Sequence, residues 1–182
     1  PVALILIRDS LQNALIDRQQ IESTTNVPVL GIIGNNNKAT ALVALQHPKS
    51  VISESFRSLR TNMQYINPGH EKKVLLVTCS ISGEGKTFIS TNIASILSLS
   101  GKKTVLIGMD LRKPKIFNDF GLTNHVGMSN YLSHKAEKEE IIQHTNYPNL
   151  DLIPAGPVPP NPSELVLSDR FGELIDWLKE RY

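Results

Sequence analysis

The sequence predicts an α/β protein of the P-loop NTPase type, a parallel sheet flanked by helices. Three observations carry that expectation. The apolar, β-rich run Lys73-Val74-Leu75-Leu76-Val77-Thr78-Cys79 reads as a buried parallel strand. It leads into the glycine-rich Ser80-Ile81-Ser82-Gly83-Glu84-Gly85-Lys86-Thr87, and a helical stretch continues to Ser100, where Gly101 stops it. Thr104-Val105-Leu106-Ile107-Gly108-Met109 is the next buried strand. Strand, helix, strand with short joins is a βαβ unit with a right-handed crossover.

The bulk composition fits. A chain of 182 residues can bury one substantial core. Hydrophobic content of 40% with 20% charge is that of an ordinary soluble domain. A formal net charge of +2 is too small to argue for nucleic acid or an anionic membrane surface. The single cysteine, Cys79, cannot form an internal disulfide, which suits a reducing compartment. No Cys/His cluster suggests zinc.

Before the βαβ unit, Val2 to Ile7 is an apolar run followed by Arg8. It is too short to cross a bilayer, which takes about 20 residues. It reads either as a buried strand or helical turn, or as the cytoplasmic end of a longer membrane helix cut short. Residues 8–24 read as a polar, weakly amphipathic helix, 27–33 as extended and 34–38 as a turn. The expected organisation is a segment over 1–26, a linker over 27–52 and a nucleotide-binding domain over 53–182. Ser53 is expected to open a helix with Phe56, Leu59, Met63 and Ile66 at helical spacing, ended by Asn67-Pro68-Gly69.

After the unit, a helix is expected near 136–143 and a third strand over Leu150–Pro154. Asn161-Pro162-Ser163-Glu164 has the chemistry of a helix start, with Asn at the cap, Pro at the first position and Glu at the third. A last helix places Phe171, Leu174, Ile175 and Leu178 on one face.

The glycine-rich turn supplies the chemistry. A P-loop curls successive backbone N–H groups around phosphate oxygens at a helix N-terminus. Gly83 and Gly85 allow backbone angles that a side chain forbids and let phosphates approach closely. Lys86 then reaches the outer phosphates and the Thr87 hydroxyl ligates Mg²⁺. Ser80 stands where the usual pattern has its first glycine. The competing reading is an ordinary Gly-rich turn with a solvated lysine. The next strand ends in Asp110-Leu111-Arg112. Ligands of such sheets sit at the carboxyl ends of strands, so Asp110 is aimed at the same crevice, where a carboxylate can hold Mg²⁺ directly or through water. Its bland alternative is a turn or capping Asp.

On these motifs the chain resembles the cytoplasmic domain of bacterial tyrosine kinases (BY-kinases), which are joined to polysaccharide co-polymerases. Ser82-Gly83-Glu84-Gly85-Lys86-Thr87 matches the family's Walker A, where Pro is more usual at Ser82. Leu106-Ile107-Gly108-Met109-Asp110-Leu111-Arg112 matches its Walker A′. Pro154 to Leu165 is similar to a stretch before its Walker B. The resemblance covers roughly residues 27–182. It implies ATP and Mg²⁺ as cofactors, with Ser82, Gly83, Glu84, Gly85, Lys86, Thr87 and Phe88 around the nucleotide. It implies catalytic roles for Lys86, Asp110 and Arg112, and Thr87 and Asp110 on the metal.

Glu54-Ser55-Phe56-Arg57-Ser58-Leu59-Arg60 fits the family's E-x-x-R-x-x-R motif, which implies a ring-like homo-oligomer through Glu54, Arg57 and Arg60. On spacing alone, a Glu–Arg pair at i,i+3 on a solvated helix, worth about 0.2–0.5 kcal/mol, explains the same residues. The implied function is a protein-tyrosine autokinase that regulates capsular or exopolysaccharide polymerisation and export. Its implied place is the cytoplasmic face of the bacterial inner membrane, with the export machinery as partner, no nucleic acid, and membrane contact through segments outside this chain. Residues 1–26 resemble the end of the second membrane helix and the juxtamembrane segment.

Two departures from the family pattern stand out. Gly108 replaces the first Asp of Walker A′, which in relatives is thought to help activate the attacking tyrosine. The Walker B strand and the tyrosine-rich tail should follow Tyr182, so the chain is expected to be a domain truncated before Walker B. A catalytically weak, nucleotide-gated scaffold that assembles with the export machinery is therefore the alternative function. Tyr65, Tyr131, Tyr147 and Tyr182 are scattered, and tyrosines in such amphipathic contexts read as packing. Partitioning ATPases of a related fold carry a Lys five residues before the P-loop Lys, where Ile81 stands here. An oxidoreductase fits less well, because Gly-Lys-Thr opens the helix where a dinucleotide fingerprint wants close-packing glycines.

Overall fold

The computed structural model describes residues 18–66 and 74–182. The run Val2–Ile7, the first part of the helix expected over 8–24, Asn67-Pro68-Gly69 and Lys73 lie outside them. The chain divides into two units, Pro1–Gly31 and Ile32–Tyr182. In the first, α1 (Arg18–Thr24) ends where the Thr25 hydroxyl and N–H both donate to the Ile21 carbonyl. No helix among the described residues is long and apolar enough to cross a membrane.

The larger unit begins with α2 (Val43–Gln46) and α3 (Val51–Ile66). Leu42, Val43 and Ala44 are buried, so this part of the stretch read as a linker contributes to the core. α3 starts two residues before Ser53. The Ser50 hydroxyl accepts the Ser53 N–H at 3.2 Å, and Ser53, fully buried, donates its own hydroxyl to the Val43 and His47 carbonyls. Phe56 and Leu59 are buried at the expected helical spacing.

Next comes α4 (Lys86–Leu99), ended by Gly101 at φ +82°, a left-handed position that glycine adopts without penalty. β1 (Thr104–Ile107) pairs in parallel with β3 (Leu150–Ile153), Thr104 opposite Leu150 and Ile107 opposite Ile153. β2 (Gln143–His144) runs antiparallel on the far edge of β3. Because strand side chains alternate faces, Leu106, Leu150 and Leu152 pack with Ala94 of α4, whereas Val105, Ile107 and Ile153 face the other way. That second face is covered by α6 (Met128–Leu132) and α8 (Asp169–Arg181) through Met128, Tyr131, Leu174 and Leu178. Two short helices, α5 (Ile116–Asp119) and α7 (Pro162–Val166), complete the unit.

Two sequence expectations are corrected. Residues 74–79 join no strand ladder, and Val74, Leu75 and Leu76 are 58%, 46% and 86% exposed. A strand apolar on both faces is stable only between neighbours. Among the described residues nothing pairs with the free edge of β1, and this run stays outside the sheet. The helix expected near 136–143 is also absent. The chain turns there, with the Glu137 N–H taken by the Glu140 carboxylate, and Ile141 drops into the core just before β2. The helix forms earlier, as α6. Its Asn130 side chain accepts the Gly127 N–H at 3.0 Å, and His134, at φ +60°, closes it.

Candidate functional site

α4 places the glycine-rich loop. Its 14 residues rise about 21 Å, and the four residues of β1, which lead to Asp110, extend by about 13 Å. The short turn at 100–103 reverses the chain between them, and α4 packs on β1. The first turn of α4 and Asp110 therefore reach the same end of the sheet.

The loop has the backbone its glycines predict. Gly83 sits at φ +97° and Gly85 at φ +93°, and a Cβ at either would meet nothing within 4 Å. The space above both is open, as a phosphate cradle requires. Glu84 folds back and accepts the Ile81 N–H at 3.2 Å. Lys86 and Thr87 are exposed on the first turn of α4. The Lys86 ammonium lies 3.8 Å from Cys79 Sγ, while that thiol donates to the Ile81 carbonyl at 3.0 Å. The Phe88 ring points away into the core, 5.8 Å edge-on from Phe56. Only its backbone N–H remains for a ligand.

Asp110 is exposed just beyond the C-terminal end of β1. Its Oδ1 accepts the N–H groups of Arg112 and Lys113 at 3.2 and 2.9 Å, which fixes the turn. Leu111 anchors the turn in the core, and Arg112 is exposed. Hard oxygen donors on Thr87 and Asp110, with an open phosphate cradle beside them, suit a magnesium–triphosphate complex.

Gly108 lies against a wall. A Cβ there would stand 3.1 Å from the Ala155 nitrogen and 3.2 Å from Ile116 Cγ2. That backbone is tightly held. Met128 and Ser129 donate to the Pro154 and Ala155 carbonyls, and the Asn124 amide pairs with both the N–H and the carbonyl of Gly156, at 2.8 and 2.7 Å. Sequence reasoning did not find this wall, because Asn124 and Gly156 are remote from each other in the chain.

It also missed Asn92. Fully buried in α4, it accepts the Ala44 N–H and donates to the Ala41 and Phe88 carbonyls, each at 2.8 Å. An Asn in the middle of the helix, next to Ile93 and Ala94, was the available signal.

On α3, Glu54 and Arg57 form the i,i+3 pair at 2.7 Å, and Arg57 also donates to the Pro48 carbonyl at 2.7 Å. Arg60 is half-buried at the border of the apolar stripe, with its Nε buried and unbonded.

No family model matches the sequence. The chain is 42% identical over 135 residues to a putative tyrosine-protein kinase CapB of Staphylococcus aureus, covering 74% of this chain and 59% of that protein. It is 41% identical over 145 residues to the tyrosine-protein kinase Wzc of Salmonella typhi, covering 80% of this chain and 20% of that one. It thus spans about a fifth of one relative and under two thirds of the other. The kinase domain of the Escherichia coli tyrosine kinase Etk superposes with a TM-score of 0.86 at 30% identity, covering 93% of this chain and 71% of that domain. The Pyrococcus furiosus cell division ATPase MinD, at 23% identity and a TM-score of 0.51, shares the P-loop ATPase fold alone. With loop, Walker A′ turn and Etk-like fold in register, the chain belongs to the bacterial tyrosine-kinase (BY-kinase) family.

Proposed function

We propose that the chain is the ATP-binding domain of a protein-tyrosine autokinase that regulates capsular or exopolysaccharide polymerisation and export. The observation that carries this reading is the open, left-handed Gly83/Gly85 turn at the start of α4. Backbone N–H groups of residues 82–88 hold the phosphates, and Lys86 neutralises their outer oxygens. Thr87 and Asp110 hold Mg²⁺, which supplies charge stabilisation for phosphoryl transfer. Arg112, exposed on the Asp110 turn, adds positive charge beside the transferring group. The test is transfer from γ-labelled ATP to tyrosine. Lys86→Met is expected to abolish it by removing the cation on the outer phosphates. Equal transfer by both proteins would overturn the reading.

In the same proposal, residues 1–26 are a juxtamembrane segment, 27–52 connect it, and 53–182 form the kinase domain at the cytoplasmic face of the inner membrane. Copies assemble through Glu54, Arg57 and Arg60 and work with the export machinery. One observation favours the scaffold alternative, in which nucleotide binding drives assembly with little phosphotransfer. Gly108 offers no carboxylate, and its packed wall leaves little room for one.

A further inference from the structure

We infer that Tyr65 is a phosphoryl-acceptor site of this chain, served by the nucleotide site of a second copy. The inference rests on the kinase reading above and adds to it a residue and a direction of transfer.

The chain has four tyrosines, and the structure separates them. Tyr131 is fully buried, donates its hydroxyl to the Arg170 carbonyl at 3.3 Å and lies under the Arg170 guanidinium. Tyr182 donates to Asp151 Oδ2 at 2.7 Å, with the Lys103 ammonium over its ring. Tyr147 is half-buried, edge-on to Phe120 at 6.4 Å. Tyr65 alone is 79% exposed. A large aromatic ring left in water on a well-formed helix contributes nothing to packing there. Among the described residues its hydroxyl has no hydrogen-bond partner that would have to be broken to reach it.

Its direction follows from the helix. Tyr65 is nine residues after Phe56, a turn of about 900°, which puts the two on opposite sides of α3. Phe56 is the residue that packs on Phe88 in the first turns of α4. The chain's own P-loop helix therefore lies behind Tyr65. From Glu54 the rotation is about 1100°, so Tyr65 shares a stripe with Glu54, Ser58 and Thr61, all exposed. A second copy meeting this face brings its own loop to the tyrosine. In the transfer, the Tyr65 oxygen bonds to the γ-phosphorus of ATP as the bond from that phosphorus to the β,γ-bridging oxygen breaks. ADP leaves with the electron pair, and the hydroxyl proton passes to solvent. The added charge stands in the last turn of α3, which has no basic residue, and a phosphate there opposes the helix dipole.

The experiment mixes the chain with a mass-tagged Lys86→Met copy, ATP and Mg²⁺, and a Glu/Tyr copolymer as an independent acceptor. Trypsin releases Thr61 to Lys72, a peptide in which Tyr65 is the sole tyrosine. The expected result is phosphate on this peptide from the Lys86→Met copy, at an initial rate per chain that rises with concentration and vanishes in Tyr65→Phe. Phosphate on the copolymer or another tyrosine, with none on Tyr65, overturns this inference and leaves the kinase reading standing. Phosphorylation of Tyr65 at a concentration-independent rate overturns the second copy. No transfer to any acceptor removes both readings. Acetylation by N-acetylimidazole checks the premise without catalysis. Tyr65 is expected to react first, and earlier reaction of Tyr131, Tyr147 or Tyr182 counts against it.

Discussion

Gly108→Ala tests whether the wall beside the Walker A′ turn is as rigid as its hydrogen bonds imply. Gly108 is buried and is not at a left-handed φ, so space rather than backbone strain decides the outcome. The new methyl would approach the Ala155 nitrogen at 3.1 Å, Ile116 Cγ2 at 3.2 Å and the Ile153 carbonyl oxygen at 3.4 Å. Ile116 can turn on its short helix. Ala155 cannot follow easily, because its neighbours are pinned by Met128, Ser129 and Asn124. Overpacking of this kind costs about 1–3 kcal/mol. Loss of glycine's freedom in the unfolded chain offsets about 0.4–1 kcal/mol. The midpoints of those ranges leave a net loss of about 1.3 kcal/mol, or about 2–4 °C in Tm for each kcal/mol in a chain of this size. Urea unfolding should show a lower midpoint at unchanged m-value. The double variant Gly108→Ala/Ile116→Ala should lose less than the sum of its parts, by about 1 kcal/mol, because removal of Cγ2 relieves one of the methyl's three close contacts. Gly108→Asp should then raise phosphotransfer only together with Ile116→Ala. An unchanged or higher midpoint for Gly108→Ala, or strict additivity in the double variant, refutes the packed wall.

Asn92→Ala leaves the Ala44 N–H and the Ala41 carbonyl without their partner and should destabilise by about 1–3 kcal/mol, read as a urea midpoint. A midpoint at the parental value would mean that the segment before α2 is not tied to α4. Tyr182 has its phenol pKa pushed well above the ordinary value, by burial first, then by its hydrogen bond to Asp151 and that carboxylate's charge, with Arg181 opposing. The neutral phenol is the form the fold prefers. Its contribution is full below the unfolded pKa near 10 and is lost as pH rises beyond it. Tyr182→Phe should flatten the fall in stability above about pH 10, and an identical alkaline slope in both proteins counts against it.

What could be read from the sequence was whatever a local pattern determines. The Gly83/Gly85 turn, the start of α4 and its stop at Gly101 depend on residues within a few positions of one another, and these were legible. So were Leu174 and Leu178, whose burial follows from helical spacing alone. The strand at 74–79 failed for a different reason. Apolar, β-rich composition says that a segment would suit the middle of a sheet, but only pairing with neighbours makes it one. β1 presents an unpaired edge among the described residues, and Leu76 is left 86% exposed. The same distinction governs the site. Gly108 in the sequence is a missing carboxylate and nothing more, whereas in the fold it is a point of close approach between β1 and a segment 47 positions later, at Ala155. Glycine is favoured there by a contact that no motif records. A carboxylate could have been lost because its chemistry was not needed, or because the wall moved in against it. The Ile116→Ala background separates those two histories physically. If Asp at 108 is tolerated only when Ile116 is trimmed, the wall is what excludes it. On the proposed kinase reading, phosphotransfer would then rest on positioning by Lys86, Thr87 and Asp110 rather than on a base at that position.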